Sequence, residues 1–287
     1  MAALVLAGAV TWLVLPQVQE WRADALLSEA NGHMEKANEA MARIDIDMLD
    51  LQSLTSLEAI EAAGGAVVAA GPLLEESAAE TALAMNAVSR GEGFPRLPGW
   101  YSQYLGKKRE TAEARERQVQ ILQQASDRLS LLYPEAPLIF RSMQEMDRLL
   151  GQFQAAMAST QSDPGGSSAS LAQIAASMRD IQHQLESRYS ESGFNLLERM
   201  ADNVKDNAEM VEQTKALADA VATGDQAQVQ QASDAMQKLL METDVGIDYL
   251  ELWFNIELKP LKHDYDELQS RQHQLDEEAA EIFHQHR

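Results

Sequence analysis

Apolar residues recur along this chain in steps of three and four, the spacing that stacks side chains on one face of a helix. Leu27, Met34, Met41 and Met48 stand seven apart, and Ala30, Ala37, Ile44 and Leu51 repeat three residues later. The two rows make the seam of a heptad repeat in a helix expected to run from Pro16 to about Ile60. Gly64-Gly65 and Gly71-Pro72 are expected to end it, with a shorter helix following over 73–89. From Trp100 to about Leu132 the pattern is helical again, with Val119, Leu122, Leu129 and Tyr133 on one face. YPEAP at 133–137 is a tight break, and Pro137 suits the first turn of the next helix.

That next helix has Ile139, Met143, Met146, Leu150, Phe153 and Met157 on one face. Beyond it, Leu171, Ile174, Met178, Ile181 and Leu185 form one stripe, and Phe194, Leu197, Ala201, Val204, Ala208 and Val211 form another, with Ser192-Gly193 between them. Gly224-Asp225 turns the chain into a short helix that should end near Val245-Gly246. The last segment repeats Ile247, Phe254, Leu261, Leu268, Leu275 and Ile282 every seven residues, with Leu258, Tyr265 and Ala279 in a second row that Gln272 interrupts. Pro260 should kink this rod.

The pattern predicts an all-α fold: an elongated antiparallel helical bundle with long, coiled-coil-like amphipathic helices at both ends and an N-terminal apolar anchor helix. STQSDPGGSSAS at 159–170 has the composition of a linker. The expected organisation is therefore an anchor or signal-type segment over 1–18, a first bundle half over 19–160, a flexible linker over 161–168 and a second half over 169–287. A parallel homodimer through the C-terminal helix is the alternative use of the same heptads.

Composition narrows the function. Of 287 residues 45% are hydrophobic, enough for a substantial core, and only 15 are glycine and 8 proline. Asp and Glu number 45 against 23 Lys and Arg, a net charge of -22, so nucleic acid is not an expected partner. The absence of cysteine removes disulfides, thiol catalysis and thiolate metal sites. MAALVLAGAVTWLVLP, residues 1–16, carries no charged side chain. Extended through Val18 it is just long enough to cross a thin bilayer, since about 20 apolar residues span the usual core. A signal peptide and a buried helix are the competing uses. So acidic a soluble part, without a basic juxtamembrane cluster, points to the periplasmic or extracellular side.

The motifs that would carry chemistry fail on spacing. GWYSQYLGKK at 99–108 has six residues between its glycines, and Lys108 stands where a Mg²⁺-binding hydroxyl belongs, so it is no phosphate loop. Glu281 and His284 have the spacing of half a di-iron carboxylate site and lack a second such pair. Asp45, Asp47 and Asp50 are interleaved with Ile46, Met48 and Leu49 and lack the turn glycine of a calcium loop. No nucleophile-and-base arrangement, metal set or cofactor fingerprint stands out.

One stretch departs from the acidic background. GEGFPRLPGWYSQYLGKKRE at 91–110 gathers Phe94, Arg96, Trp100, Tyr101, Tyr104, Lys107, Lys108 and Arg109, the mixture of aromatic and basic residues found at interface anchors. These eight are the candidate partner-binding residues, with Trp100 as anchor and Arg96 as charge contact. The plainer reading has the aromatics plugging a bundle end and the basic residues pairing with nearby acids. The function expected is a membrane-tethered extracytoplasmic scaffold or adaptor that binds an unidentified protein and is not an enzyme. A ligand-sensing bundle and a carboxylate/histidine metal enzyme are the alternatives.

Overall fold

The structure is a computed structural model that describes residues 2–46, 56–95, 97–160, 162–242 and 249–286. Its described secondary structure is helical throughout: α1 Ala2–Ala42, α2 Leu57–Glu92, α3 Gly99–Leu132, α4 Ala136–Ser159, α5 Pro164–Ser192, α6 Asn195–Thr223, α7 Gln226–Glu242, α8 Tyr249–Glu257 and α9 Lys259–His286. The chain divides into two compact units. The first comprises Met1–Leu54, Glu61–Ser130 and Glu257–Arg287, the second Thr55–Ile60 and Leu131–Ile256.

The first unit is an antiparallel bundle of α1, most of α2, α3 and α9. Burial along α2 falls on Ala63, Val67, Ala70, Leu74, Ser77, Thr81, Ala84 and Val88, an unbroken alternation of four and three. In α9 it falls on Tyr265, Gln272 and Ala279 of the expected second row, with Gln272 kept inside it, and on Leu275 of the first, whose other members in α9, Leu261, Leu268 and Ile282, are only half-buried. The expected N-terminal rows are buried at Leu27, Ala30, Ala37 and Met41 of α1 and at Ile44 just beyond it, while Met34 is half-buried; Met48 and Leu51 lie outside the described residues.

Side-chain contacts set the helix directions. The Ser77 hydroxyl donates to the Ala37 carbonyl, and His33 Nδ1 lies 2.5 Å from Glu80 Oε2, so α1 and α2 run antiparallel. Tyr101 donates to Asp24 and Arg115 to Asn38, both pairs separated by 77 residues, so α1 and α3 run parallel in fixed register. Lys107 meets Glu278 and Glu110 meets Arg271, which makes α9 antiparallel to α3.

In the second unit α5 and α6 form the principal hairpin, with α4 against α5 and α7 against α6. Their ends follow local rules. Asp163 accepts from the Gly166 amide at 3.0 Å and caps α5 just ahead of Pro164. Gly193 closes α5 at φ 67°, and Gly224 closes α6 at φ 72°, left-handed positions that glycine adopts without steric penalty. Asp225 Oδ1 accepts from the amides of Ala227 and Gln228 and starts α7. The stripes expected on α5 and α6 are the buried faces observed.

Several expectations need correction. α1 ends at Ala42, well short of Ile60. α2 runs through Gly64, Gly65, Gly71 and Pro72, because its buried row continues across them and tertiary packing outweighs their poor propensity. The α4 face is shifted: Ser142, Leu149 and Ala156 are buried, whereas Met143 and Leu150 are half-buried and Met157 is exposed. Residues 164–168 of the expected linker form the first turns of α5. Leu258, with Pro260 behind it, separates α8 from α9, so the C-terminal rod is two helices, and these fall in different units. Val245-Gly246 and Ile247 lie outside the described residues.

Candidate functional site

The 91–110 stretch lies in the first unit and becomes the corner between α2 and α3. Gly93 and Pro98 bracket the turn, and the Pro98 carbonyl accepts from the Tyr101 amide at 2.9 Å to open α3. Tyr101 is 1% exposed, and its hydroxyl donates to Asp24 Oδ1 at 2.7 Å. Tyr101 and Tyr104 join Leu105 in a core with Ala23, Leu27 and Ala30 of α1, Ala84, Ala87 and Val88 of α2, and Ala279 of α9. Small residues on α1 and α2 leave the space that the two tyrosines fill.

A half-buried layer covers that core. Phe94, Leu97, Trp100, Ile282 and Phe283 pack against it. Trp100 meets Tyr101 edge-on at 5.1 Å and stacks on His286 at 5.5 Å; Tyr104 meets Phe283 at 5.4 Å. Such ring pairs contribute about 0.5–1.5 kcal/mol beyond their buried area. The turn and the last residues of α9 therefore form one aromatic end of the bundle.

The basic residues are engaged as well. Lys107 Nζ lies 2.9 Å from Glu278 and 3.3 Å from Glu110, while Arg271 approaches the same two acids at 3.7 and 3.5 Å. The hydrogen bond to Glu278 raises the Lys107 ammonium above the ordinary lysine value, and the same bond lowers the Glu278 carboxyl. Lys108 pairs with Asp276 at 3.1 Å, and Arg109 with Glu92 at 3.1 Å and Glu113 at 3.4 Å. These pairs, each with at least one well-exposed partner, fix helix register more than they add stability.

Of the eight candidates, Tyr101 and Tyr104 are interior, Phe94 and Trp100 are half-buried over the core, and Lys107, Lys108 and Arg109 are ion-paired. Arg96 lies outside the described residues. Four contributors escaped the sequence reading: Asp24, Leu97, Phe283 and His286. Phe283 adjoins the Ile282 heptad position and could have been suspected; Asp24 is tied to Tyr101 only through interhelix register, which no local pattern encodes.

A polar layer lies further along the same bundle. Arg115 donates to Gln118 Oε1 at 2.8 Å and to Asn38, while Arg115 Nε and Gln118 Nε2 are buried without a partner. Burial pulls the Arg115 guanidinium below the ordinary arginine value. Nearby, a cleft of about 600 Å³ is bounded by Met34, Asn38, Lys108, Thr111, Gln272 and Asp276. Among the described residues no group of three or more His, Asp or Glu side chains is placed to hold a metal ion. Glu281 and His284 are both exposed.

One described helix, α2, is long and apolar enough to cross a membrane, with a best-window mean hydropathy of 1.4. Its apolar stretch is rich in alanine and glycine, and its buried row packs inside the first unit. No family profile, no curated protein and no solved structure matches this chain.

Proposed function

We propose that this protein is a membrane-tethered, non-enzymatic helical scaffold or adaptor whose soluble helices hold a protein partner on the extracytoplasmic side. The observation that carries the reading is the continuity of α1. One helix, Ala2–Ala42, begins in an uncharged apolar run and ends as a seam strand of the first bundle. A tether joined to its bundle without a flexible break holds the bundle at a fixed height above the bilayer. Leu15, Val18 and Trp21, on the turns where the apolar run gives way to the seam, are exposed to solvent in the folded chain.

α2 is the rival membrane segment by length and composition. Moving it into a bilayer would withdraw Leu74, Ala84 and Val88 from the core and break the Ser77 and Glu80 contacts to α1. The tether is therefore assigned to residues 1–18. Alkaline extraction of membranes from expressing cells tests the assignment. The full chain should stay with the pellet and the chain lacking residues 1–18 should be released; retention of the shortened chain would transfer the anchor to α2. Protease added to intact cells or spheroplasts should digest the soluble helices, and their protection would place them on the cytoplasmic side. Crosslinking in native membranes should recover a partner protein only from the full chain.

A second reading, a ligand-sensing bundle, is favoured by the cleft bounded by Asn38, Lys108, Thr111 and Gln272. A small polar ligand there should raise the melting temperature of wild-type protein and not that of Gln272→Leu.

A further inference from the structure

Among the described residues of the first unit, Val68 and Leu83 are exposed singly along α2, whereas Leu15, Val18 and Trp21 are exposed together, at the end reached by the apolar part of α1. Trp21 is 71% exposed, and Val18 and Leu15 stand exposed one and two turns before it. The aromatic corner belongs to the same end. The constant separation of 77 between α1 and α3 partners sets Gly99, the first residue of α3, level with Arg22. The turn that precedes Gly99 then lies at the level of Trp21 or nearer the apolar run. His286, stacked on Trp100, brings the end of α9 to the same level.

We infer that this end of the bundle, with Trp21, Phe94, Leu97 and Trp100, is seated in the headgroup layer of the bilayer that holds residues 1–18. The inference rests on the tether assigned above and adds a second contact to it. Spacing along the helix supports the seat. Trp21 is three residues beyond Val18, about 4.5 Å along the axis at the helical rise. The headgroup region beyond the hydrocarbon core is about 5–7 Å deep on each side. Tryptophan is the residue that gains most at that depth, its ring being apolar and its indole N–H able to reach water or a lipid carbonyl. A net charge of -22 disfavours anionic lipid, so the matching surface is zwitterionic.

The test uses the full chain in phosphatidylcholine vesicles with bromine placed either near the head of the acyl chain or near its methyl end. The chain has tryptophan at 12, 21, 100 and 253, and three variants keep only Trp12, only Trp21 or only Trp100, the others replaced by phenylalanine. Trp21 lies nine residues from Trp12, about 14 Å along the helix, so the two report different depths. Trp12 should lose most fluorescence to the deep bromines, whereas Trp21 and Trp100 should lose more to the shallow ones. Trp12 quenched with Trp21 and Trp100 unaffected overturns the seat and leaves the tether standing. All three unaffected overturns the tether itself. If circular dichroism shows that the Trp21-only chain, which carries Trp100→Phe over the core, has lost helicity, the Trp100-only chain decides alone, since the Trp21 ring that it gives up is outside the core.

Discussion

The two units solve the same packing problem with different sequence logic. The second is a nearly continuous run, Leu131–Ile256, in which α4 packs against α5, α5 against α6 and α6 against α7. The first is assembled from three separated stretches and is closed by α9, which the chain supplies only after the whole second unit. The second fills its core with Leu171, Ile174, Met178, Leu185, Leu197, Met200 and Val211. The first sets Ala23, Ala30, Ala84 and Ala87 of α1 and α2 around Tyr101, Tyr104 and Leu105 at one end, and buries Gln118 and Gln272 where the second buries Gln182 and Asn207. Local chemistry specifies one unit; the other depends on a partner helix distant in sequence.

Removing that helix is the most severe way to break the comparison. A chain ending at Leu258 lacks Tyr265, Leu275 and Ala279 and the acids that pair with Lys107 and Lys108. Amide exchange should then lose its protection across α1, α2 and α3 and keep it across α5 and α6. Protection retained in α1–α3 would show that three helices suffice, and the dependence on α9 would be wrong.

Single truncations in the cores come next. Leu275→Ala in the first unit and Leu197→Ala in the second each remove a side chain that is essentially fully buried. Each should lower stability by about 2–5 kcal/mol, the usual range for such cavities. The difference lies in where protection falls: in α1–α3 and α9 for Leu275→Ala, in α4–α7 for Leu197→Ala. Uniform loss in both variants would make the chain one cooperative body. Trp100→Ala belongs here too. The Trp100 ring meets Tyr101 edge-on and stacks on His286, so its loss should lower the melting temperature measurably, which excludes its use as a purely surface probe of partner capture.

Smaller effects test the local signals. Gly193 and Gly224 sit at φ 67° and 72° with open space where a Cβ would go, so alanine there suffers backbone strain alone. The loss should be about 1–2 kcal/mol for each, read from denaturant midpoints. Gly32 and Gly65 lie inside helices with equal space around them, and alanine there should instead stabilise by up to about 1 kcal/mol.

These same positions show what could be read in advance. The stripes of α5 and α6 were visible because Leu171 to Leu185 and Phe194 to Val211 are each set by helical period, with a glycine cap at the end. On α4 the prediction slipped because Leu149 and Leu150, or Ala156 and Met157, are adjacent and both apolar; periodicity cannot choose which row faces the neighbour. Gly64, Gly65 and Pro72 suggested a break, but propensity is a weak term beside a row running from Ala63 to Val88. At the aromatic corner the membership of Phe94, Trp100 and Tyr104 could be read from composition. Its closure could not, since Asp24, Phe283 and His286 arrive from α1 and α9 through register fixed only in three dimensions.

The smallest effect separates the units by pH. Burial pushes the Tyr133 hydroxyl, in the second unit, up to about 12, where it donates to the Ile60 carbonyl at 2.9 Å. Burial also raises Tyr265 in the first unit, against a smaller opposing pull from Arg115. An unfolded tyrosine titrates near pH 10. Because the folded value is the higher one, the native state keeps its proton after the unfolded chain has lost it. The stabilising contribution is whole below about pH 10 and disappears as pH rises through the folded value. Tyr133→Phe should therefore flatten the alkaline decline of the second unit, and Tyr265→Phe that of the first. Denaturant midpoints taken stepwise above neutrality, with amide exchange to assign them to a unit, measure both. At neutral pH the Tyr133 variant should lose only the net value of one hydrogen bond, about 1 kcal/mol. An alkaline slope in Tyr133→Phe as steep as in the wild type would mean that this hydroxyl is no better shielded in the folded chain than in the unfolded one. The tie between the start of α2 and the second unit would then need another explanation.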